Sequence, residues 1–381
     1  MPAFNTRISQ ALVERNQQGL GRSLRTIDGG NTPYLSHNAQ DFVNFSSNDY
    51  LALASDSELT KAWQDGLTKY GNGSGASPLV TGFSSAHKAL EDNLCQWLGF
   101  DRAILFSSGF SANQALLFSL LKKGDLLLQD KLNHASLMEA GMLSPATMKR
   151  FKHNDTTHLE RLLTSNALVV TEGVFSMDGD RAPLAEIHRL TQGRAWLAVD
   201  DAHGIGVLGQ RGAGSCSAAD IKPEVLIVTF GKAFGLSGAA IMCSDELGDY
   251  LTQFARHHVY STAIPPSQAV ALNHAASMIQ TQQWRRDKLE ELSAHYHSVL
   301  SNVEGYQSTS TPIKPFIIGS SENALTVAES LKQSALWVTA IRPPTVPTGS
   351  ARLRITLTAQ HEKHHIDRLS ETLKQSMKRL N

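Results

Sequence analysis

Between residues 100 and 245 the chain repeats one pattern, an apolar run of three to five residues followed by a polar or glycine-rich end. The runs occupy residues 103–106, 126–128, 168–170, 196–199, 226–228 and 239–242. A strand with one wet face alternates apolar and polar residues. An unbroken apolar run needs cover on both faces, as in parallel sheets flanked by helices. The pattern therefore predicts an α/β fold whose mostly parallel central sheet lies in a large domain spanning residues 46–285.

Around that domain the rhythm differs. Ile8, Leu12 and Val13 stand at helical spacing, and Asp28-Gly29-Gly30-Asn31 breaks it, so residues 1–45 read as a helix and arm with a short strand at 42–45. The glycine-rich stretch Gly71-Asn72-Gly73-Ser74-Gly75 must be irregular. Residues 262–306 read as long and helical. Strands at 311–318, 337–341 and 353–357, with helices at 323–334 and 361–378, make residues 286–381 a smaller α+β domain.

With 381 residues, 41% of them hydrophobic and 18% charged, the chain can build a large core and is too apolar for disorder. Lys+Arg and Asp+Glu balance at 35 each, without the basic excess of a dedicated nucleic-acid binder. No stretch approaches the ~20 apolar residues of a membrane span. The start, Met-Pro-Ala-Phe-Asn-Thr-Arg, holds no apolar core for a secretory signal. Cys95, Cys216 and Cys243 are too widely spaced for zinc and odd in number, so reduced thiols in the cytoplasm are expected.

In open α/β sheets, ligands bind beyond the carboxyl ends of the strands. Five runs deliver chemistry there: Ser107-Ser108-Gly109-Phe110, then Asn133-His134, Glu172 with Ser176, Asp200-Asp201-Ala202-His203, and Thr229-Phe230-Gly231-Lys232. Each alone has a plain structural role, since an Asp caps a helix, a Lys in a glycine turn is solvated and a His packs. Their combination says more. Asp200 would carry its charge beside an apolar interior and needs a cationic partner. Lys232 follows Leu-Ile-Val-Thr-Phe-Gly, where desolvation would lower its pKa and make the amine a nucleophile. Pyridoxal 5'-phosphate requires such a lysine for its aldehyde and such a carboxylate for its ring nitrogen. The amides of Gly109 and Phe110, opening a helix at 111–120, would point at the phosphate.

The segment Thr229-Phe230-Gly231-Lys232-Ala233-Phe234-Gly235, with Asp200-Asp201-Ala202-His203-Gly204, resembles the α-oxoamine synthases, pyridoxal phosphate enzymes of fold type I. Residues 44–51, 133–136 and 172–180 strengthen the resemblance, which runs from about 44 to 359. It implies a homodimeric, aminotransferase-like transferase that uses no metal. On matching positions it makes Lys232 the cofactor-bearing lysine and Asp200 the pyridinium partner. His134 would stack on the ring, His203 and Ser176 would contact its hydroxyl, and Gly109, Phe110 and Thr229 would hold the phosphate. Arg354 would grip the amino-acid carboxylate beside Asn48. Arg22 and Thr345 would meet the acyl substrate, with Arg25 the alternative to Arg22.

The form Ile341-Arg342-Pro343-Pro344-Thr345, followed by Arg352-Leu353-Arg354, is most similar to the branch of biotin biosynthesis. That branch condenses L-alanine with a pimeloyl thioester, carried by coenzyme A or an acyl carrier protein, and releases carbon dioxide. Branches making aminolevulinate, 2-amino-3-ketobutyrate or sphingoid bases are the alternatives. Many relatives carry Arg after Gly-Ser-Gly-x-Ser where this chain has Pro78.

Two motifs point elsewhere. Gly204-Ile205-Gly206-Val207-Leu208-Gly209 is a literal G-x-G-x-x-G, the mark of an NAD-dependent Rossmann oxidoreductase. More glycines follow it, where that reading needs a helix. His361-Glu362-Lys363-His364-His365 offers metal ligands but reads as a solvated helix start. A non-catalytic pyridoxal phosphate carrier is a third reading, against which stand Lys232, both histidines and Arg354.

Overall fold

The six apolar runs all become strands of one seven-stranded sheet in a computed structural model that describes residues 3–18 and 20–380. In chain order they are β1 (Arg102–Phe106), β2 (Leu126–Asp130), β3 (Thr147–Phe151), β4 (Ala167–Glu172), β5 (Trp196–Asp200), β6 (Val225–Thr229) and β7 (Ala239–Cys243). Across the sheet the order is β1-β7-β6-β5-β4-β2-β3, and β7 alone runs against its neighbours. Alternate residues feed two cores. Val169, Val199, Val228 and Met242 join one, while Leu168, Ala198, Ile227 and Ile241 join the other. Both faces are covered, which is why the runs are unbroken.

One strand of the seven was not expected. β3 reads Thr-Met-Lys-Arg-Phe and lies at the sheet edge with Lys149 and Arg150 exposed, so it lacks the apolar run that marks the others. The 262–306 stretch is two helices, Pro266–Thr281 and Trp284–Leu300. The first packs on Ser57–Tyr70 and Ser85–Leu98 in the large domain. The second crosses between domains. Its first turn is anchored to the large domain, Arg285 donating to Leu51 O at 2.7 Å and Asp56 Oδ2 at 2.6 Å. Its remainder packs on the helix Lys363–Leu380. The 285/286 boundary thus falls inside one helix.

The smaller domain carries an antiparallel sheet of Ile313–Gly319, Ala351–Thr356 and Thr339–Ile341, with Ala351–Thr356 central. The strand expected at 337–341 is two pieces. Leu336–Trp337 leaves that sheet and pairs in parallel with Gln40–Asn44 of the N-terminal hairpin. This hairpin ties the arm to the C-terminal half of the chain.

The His361–His365 segment corrects the expectation of a solvated helix start. His361 is buried, stacked on Phe45 at 4.5 Å, with Nδ1 accepting from Thr358 N and Nε2 bonded to Asn44 O. His365 is buried against the Tyr34 hydroxyl. Burial pushes their pKa values down to about 3 and about 4. Both rings serve as neutral pins between the last helix and the hairpin.

Candidate active site

The carboxyl ends of β1, β4, β5 and β6 surround a cavity of about 280 Å³ lined by His134, Glu172, Asp200, His203, Thr229 and Lys232. At the end of β1, Ser108 caps the helix Gly109–Leu120, its hydroxyl accepting from Ser111 N at 3.1 Å. The first amides of a helix have no intrahelical partner, so those of Gly109 and Phe110 form an anion cradle. The helix therefore starts two residues before the expected 111. Gly109 is required there, because a Cβ would press on the Thr229 methyl.

The two adjacent aspartates separate in role. Asp200 faces the cavity and accepts from Asn113 Nδ2 at 2.7 Å and Ala202 N at 3.1 Å. Asp201 turns away to accept from Ser215 N at 2.7 Å, and burial pushes its pKa up to about 7. The decoy glycines serve Asp201. A Cβ at Gly204 or Gly214 would collide with its carboxylate, and the motif runs through turns into a five-residue helix, Gly214–Ala218. No helix opens where a dinucleotide would need one, so the Rossmann reading fails on geometry.

Lys232 is half-buried in a turn after β6 and makes no ion pair among the described residues. Burial lowers its pKa, Arg354 adds to that, and Asp200 and Glu172 oppose it. His203 is held 2.7 Å from the Tyr50 hydroxyl and stays neutral because burial drives its pKa well below the usual value. Glu172 sits beside Asp200 in register, and burial drives its pKa well above the carboxylate range.

A second cavity, about 320 Å³, shares Asn48, His134, His203 and Lys232 with the first and adds Ser176 and Arg354. Arg354 donates to Ser176 O at 2.6 Å and Asn48 Oδ1 at 3.0 Å. Among the described residues no carboxylate pairs with it. Ser176 lines this second cavity with His134, His203 and Lys232, and its carbonyl accepts from Arg354. Arg22 and Thr345 meet in a small outer cavity of about 130 Å³, which adjoins the second through Ile341. Arg25 is elsewhere, over the Trp337 ring. Four residues of the site went unassigned from sequence, namely Tyr50, Asn113, Ser136 and Glu172. Only Glu172 carried a positional signal, at the end of an apolar run; the roles of the others depend on tertiary partners.

The donor set fits pyridoxal 5'-phosphate. The cradle at Gly109 and Phe110 faces a buried Thr229 hydroxyl that has no partner, and Asp200 and Lys232 stand in the same cavity. A cavity at this sheet edge with a desolvated amine, a buried carboxylate and an unpaired arginine defines a cofactor-dependent group-transfer enzyme. The chain belongs to the aminotransferase class I and II family, whose model matches residues 40–373. It is 68% identical to 8-amino-7-oxononanoate synthase of Vibrio atlanticus, covering 100% of this chain and 95% of that one. It is 66% identical to the same enzyme of Vibrio cholerae, over 99% and 98%. Among solved structures, serine palmitoyltransferase of Sphingomonas wittichii superposes with a TM-score of 0.90 at 26% identity, covering 99% and 98% of the two chains. The 8-amino-7-oxononanoate synthase of Francisella tularensis does so with 0.79 at 29% identity, over 89% and 98%.

Proposed function

We propose that the chain is a pyridoxal phosphate-dependent acyltransferase that condenses L-alanine with a pimeloyl thioester. The products are 8-amino-7-oxononanoate, carbon dioxide and the free thiol. The observation that carries this reading is Arg354, a nearly buried cation without a counter-ion beside Lys232, in a chain 68% identical to such a synthase. Bound pyridoxal phosphate supplies an aldehyde for the amino group and a ring that draws electrons from Cα.

The chain's own residues do the rest. Gly109, Phe110 and Thr229 would hold the phosphate, and Asp200 would keep the ring nitrogen protonated. His134 and His203 would contact the ring from the cavity wall. Arg354, steadied by Asn48 and Ser176 O, grips the alanine carboxylate and so directs its single Cα–H toward Lys232. The Lys232 amine, its pKa lowered by burial, takes that proton as general base. Cα then attacks the thioester carbonyl, the C–S bond breaks and the leaving thiolate takes up a proton; the β-keto acid loses carbon dioxide, and Cα is reprotonated with a proton drawn from solvent. Arg22 and Thr345, which share the adjoining outer cavity, would meet the acyl partner. That partner is carried by coenzyme A or an acyl carrier protein. The enzyme works as a homodimer in the cytoplasm, which suits its three unpaired cysteines.

A panel of amino acids and acyl thioesters, read by carbon dioxide release, tests the reading. Alanine with the pimeloyl thioester should give the highest kcat/KM. If glycine with a short acyl thioester gives a higher value, the chain belongs to another branch of its family.

A further inference from the structure

Four side chains form an unbroken hydrogen-bonded chain in the wall of the cavity. Asn113 Nδ2 donates to Asp200 Oδ2 at 2.7 Å and to Ser136 Oγ at 2.9 Å. Ser136 Oγ in turn lies 2.8 Å from His134 Nδ1. Asn113 comes from the helix Gly109–Leu120, Ser136 and His134 from the start of Ala135–Leu143, and Asp200 from the end of β5. Asn113, Ser136 and Asp200 are all buried, so water does not compete for these bonds.

Counting protons fixes the direction of the chain. The Asp200 carboxylate only accepts, so Asn113 must turn its NH2 toward it. The flipped amide would set Oδ1 against the carboxylate. The second N–H of the same group goes to Ser136 Oγ, which accepts there and keeps one proton and one lone pair. Ser136 N–H points at His134 Nδ1 at 3.3 Å, which makes that nitrogen an acceptor, so the hydroxyl proton goes to it as well. A nitrogen that accepts from two donors carries no proton. The imidazole proton therefore sits on Nε2. In agreement, burial lowers the pKa of His134, with Lys232 adding to the effect and Asp200 opposing it.

We propose that Asn113 and Ser136 are positioning residues through which Asp200 sets the tautomer of His134, so that the nitrogen left for the cavity is an Nε2–H donor. One buried carboxylate thereby orients both faces of the site: directly at the ring nitrogen, and through the relay at the substrate side. Use of that donor on a substrate oxygen rests on the function proposed above. The relay itself does not.

The test is ¹⁵N NMR of cofactor-free protein labelled at histidine, with the His134 signals identified by their loss in His134→Gln. At neutral pH, Nδ1 should read as unprotonated and Nε2 as protonated. Ser136→Ala, which removes one oxygen, should shift both signals toward a mixture of tautomers, and Ser136→Thr should restore them. Asn113→Ala should shift them in the parent protein but add no further shift in the Ser136→Ala background. A protonated Nδ1 in the parent, or Ser136→Ala signals identical to the parent's, overturns the relay. Because neither cofactor nor substrate is present, a wrong substrate assignment leaves these outcomes unchanged and shows only in the thioester panel.

Discussion

Arg354 is 8% exposed, and its partners are a carbonyl and an amide oxygen. Both are neutral, so the charge is desolvated without compensation until an anion arrives. Arg354→Ala should raise KM for alanine ~10–150-fold, the equivalent of a charge-assisted bond of ~1.5–3 kcal/mol. Arg354→Lys should recover little of this, since an ammonium cannot reproduce the fork. Steady-state kinetics with varied alanine decides it, and an unchanged KM would take Arg354 out of the site. Lys232 is checked separately. Borohydride reduction of the loaded protein should leave the phosphopyridoxyl group on Lys232 and on no other lysine. These residues were legible because strand ends must deliver their side chains to one edge, so Thr229, Asp200 and His134 announced themselves by position. Asn113 and Ser136 did not, although both line the cavity, because their roles rest on the bond between them across 23 residues of chain, which no local pattern marks.

The loop between β4 and the helix Leu184–Thr191 connects the two domains. On one side Ser176 O, Asp178 and Gly179 O receive Arg354, Arg352 and the Thr311 hydroxyl of the smaller domain. On the other, Asp180 accepts from His153 Nε2 at 2.7 Å, while His153 Nδ1 reaches Asp130 at 3.0 Å. Gly179 holds φ at +68°, and a Cβ there would collide with Ile313 O. Gly179→Ala should cost ~1–3 kcal/mol of stability, read as a lower unfolding midpoint. Burial would lower the pKa of His153, but its bonds to Asp130 and Asp180 outweigh that and push it up from 6.5 to about 10. A raised folded pKa stabilises fully below the unfolded value and loses its effect as pH climbs through the folded one. Stability should therefore fall between about pH 6.5 and 10 by an increment that His153→Gln removes. Equal pH slopes in the two proteins would refute the clamp. Elements were legible from sequence where burial dictated composition. β3 escaped because an edge strand needs no apolar run, and Leu336–Trp337 because its partner Gln40–Asn44 lies some 290 residues away in sequence, beyond any local pattern.

For the whole molecule, large apolar side chains left bare on the surface carry the last expectation. Phe110, in the phosphate cradle, is 40% exposed, and Met142 and Leu143, at the end of the helix that His134 caps, are 65% and 67% exposed. Leu79 and Val80, just beyond the glycine-rich loop and Pro78, are exposed as well. Clusters of bare apolar side chains mark interaction sites. Of these, Phe110 lines the cavity that would hold the cofactor. The net charge of zero raises no long-range barrier between two copies. The loaded protein should therefore sediment at twice the 41.5 kDa of the chain. Leu143→Glu, which puts a charge on the covered surface, should shift the population toward monomer. If the second copy closes the cradle, that monomer should also bind pyridoxal phosphate more weakly, measured by absorbance on titrating the cofactor-free protein. Pro78 enters here too, since it starts the turn Pro78–Gly82 that presents Leu79 and Val80. Val80→Glu should reproduce both effects of Leu143→Glu. A monomer with undiminished cofactor affinity would separate assembly from the site, and a parent protein that is monomeric and fully active would remove the need for a second copy altogether.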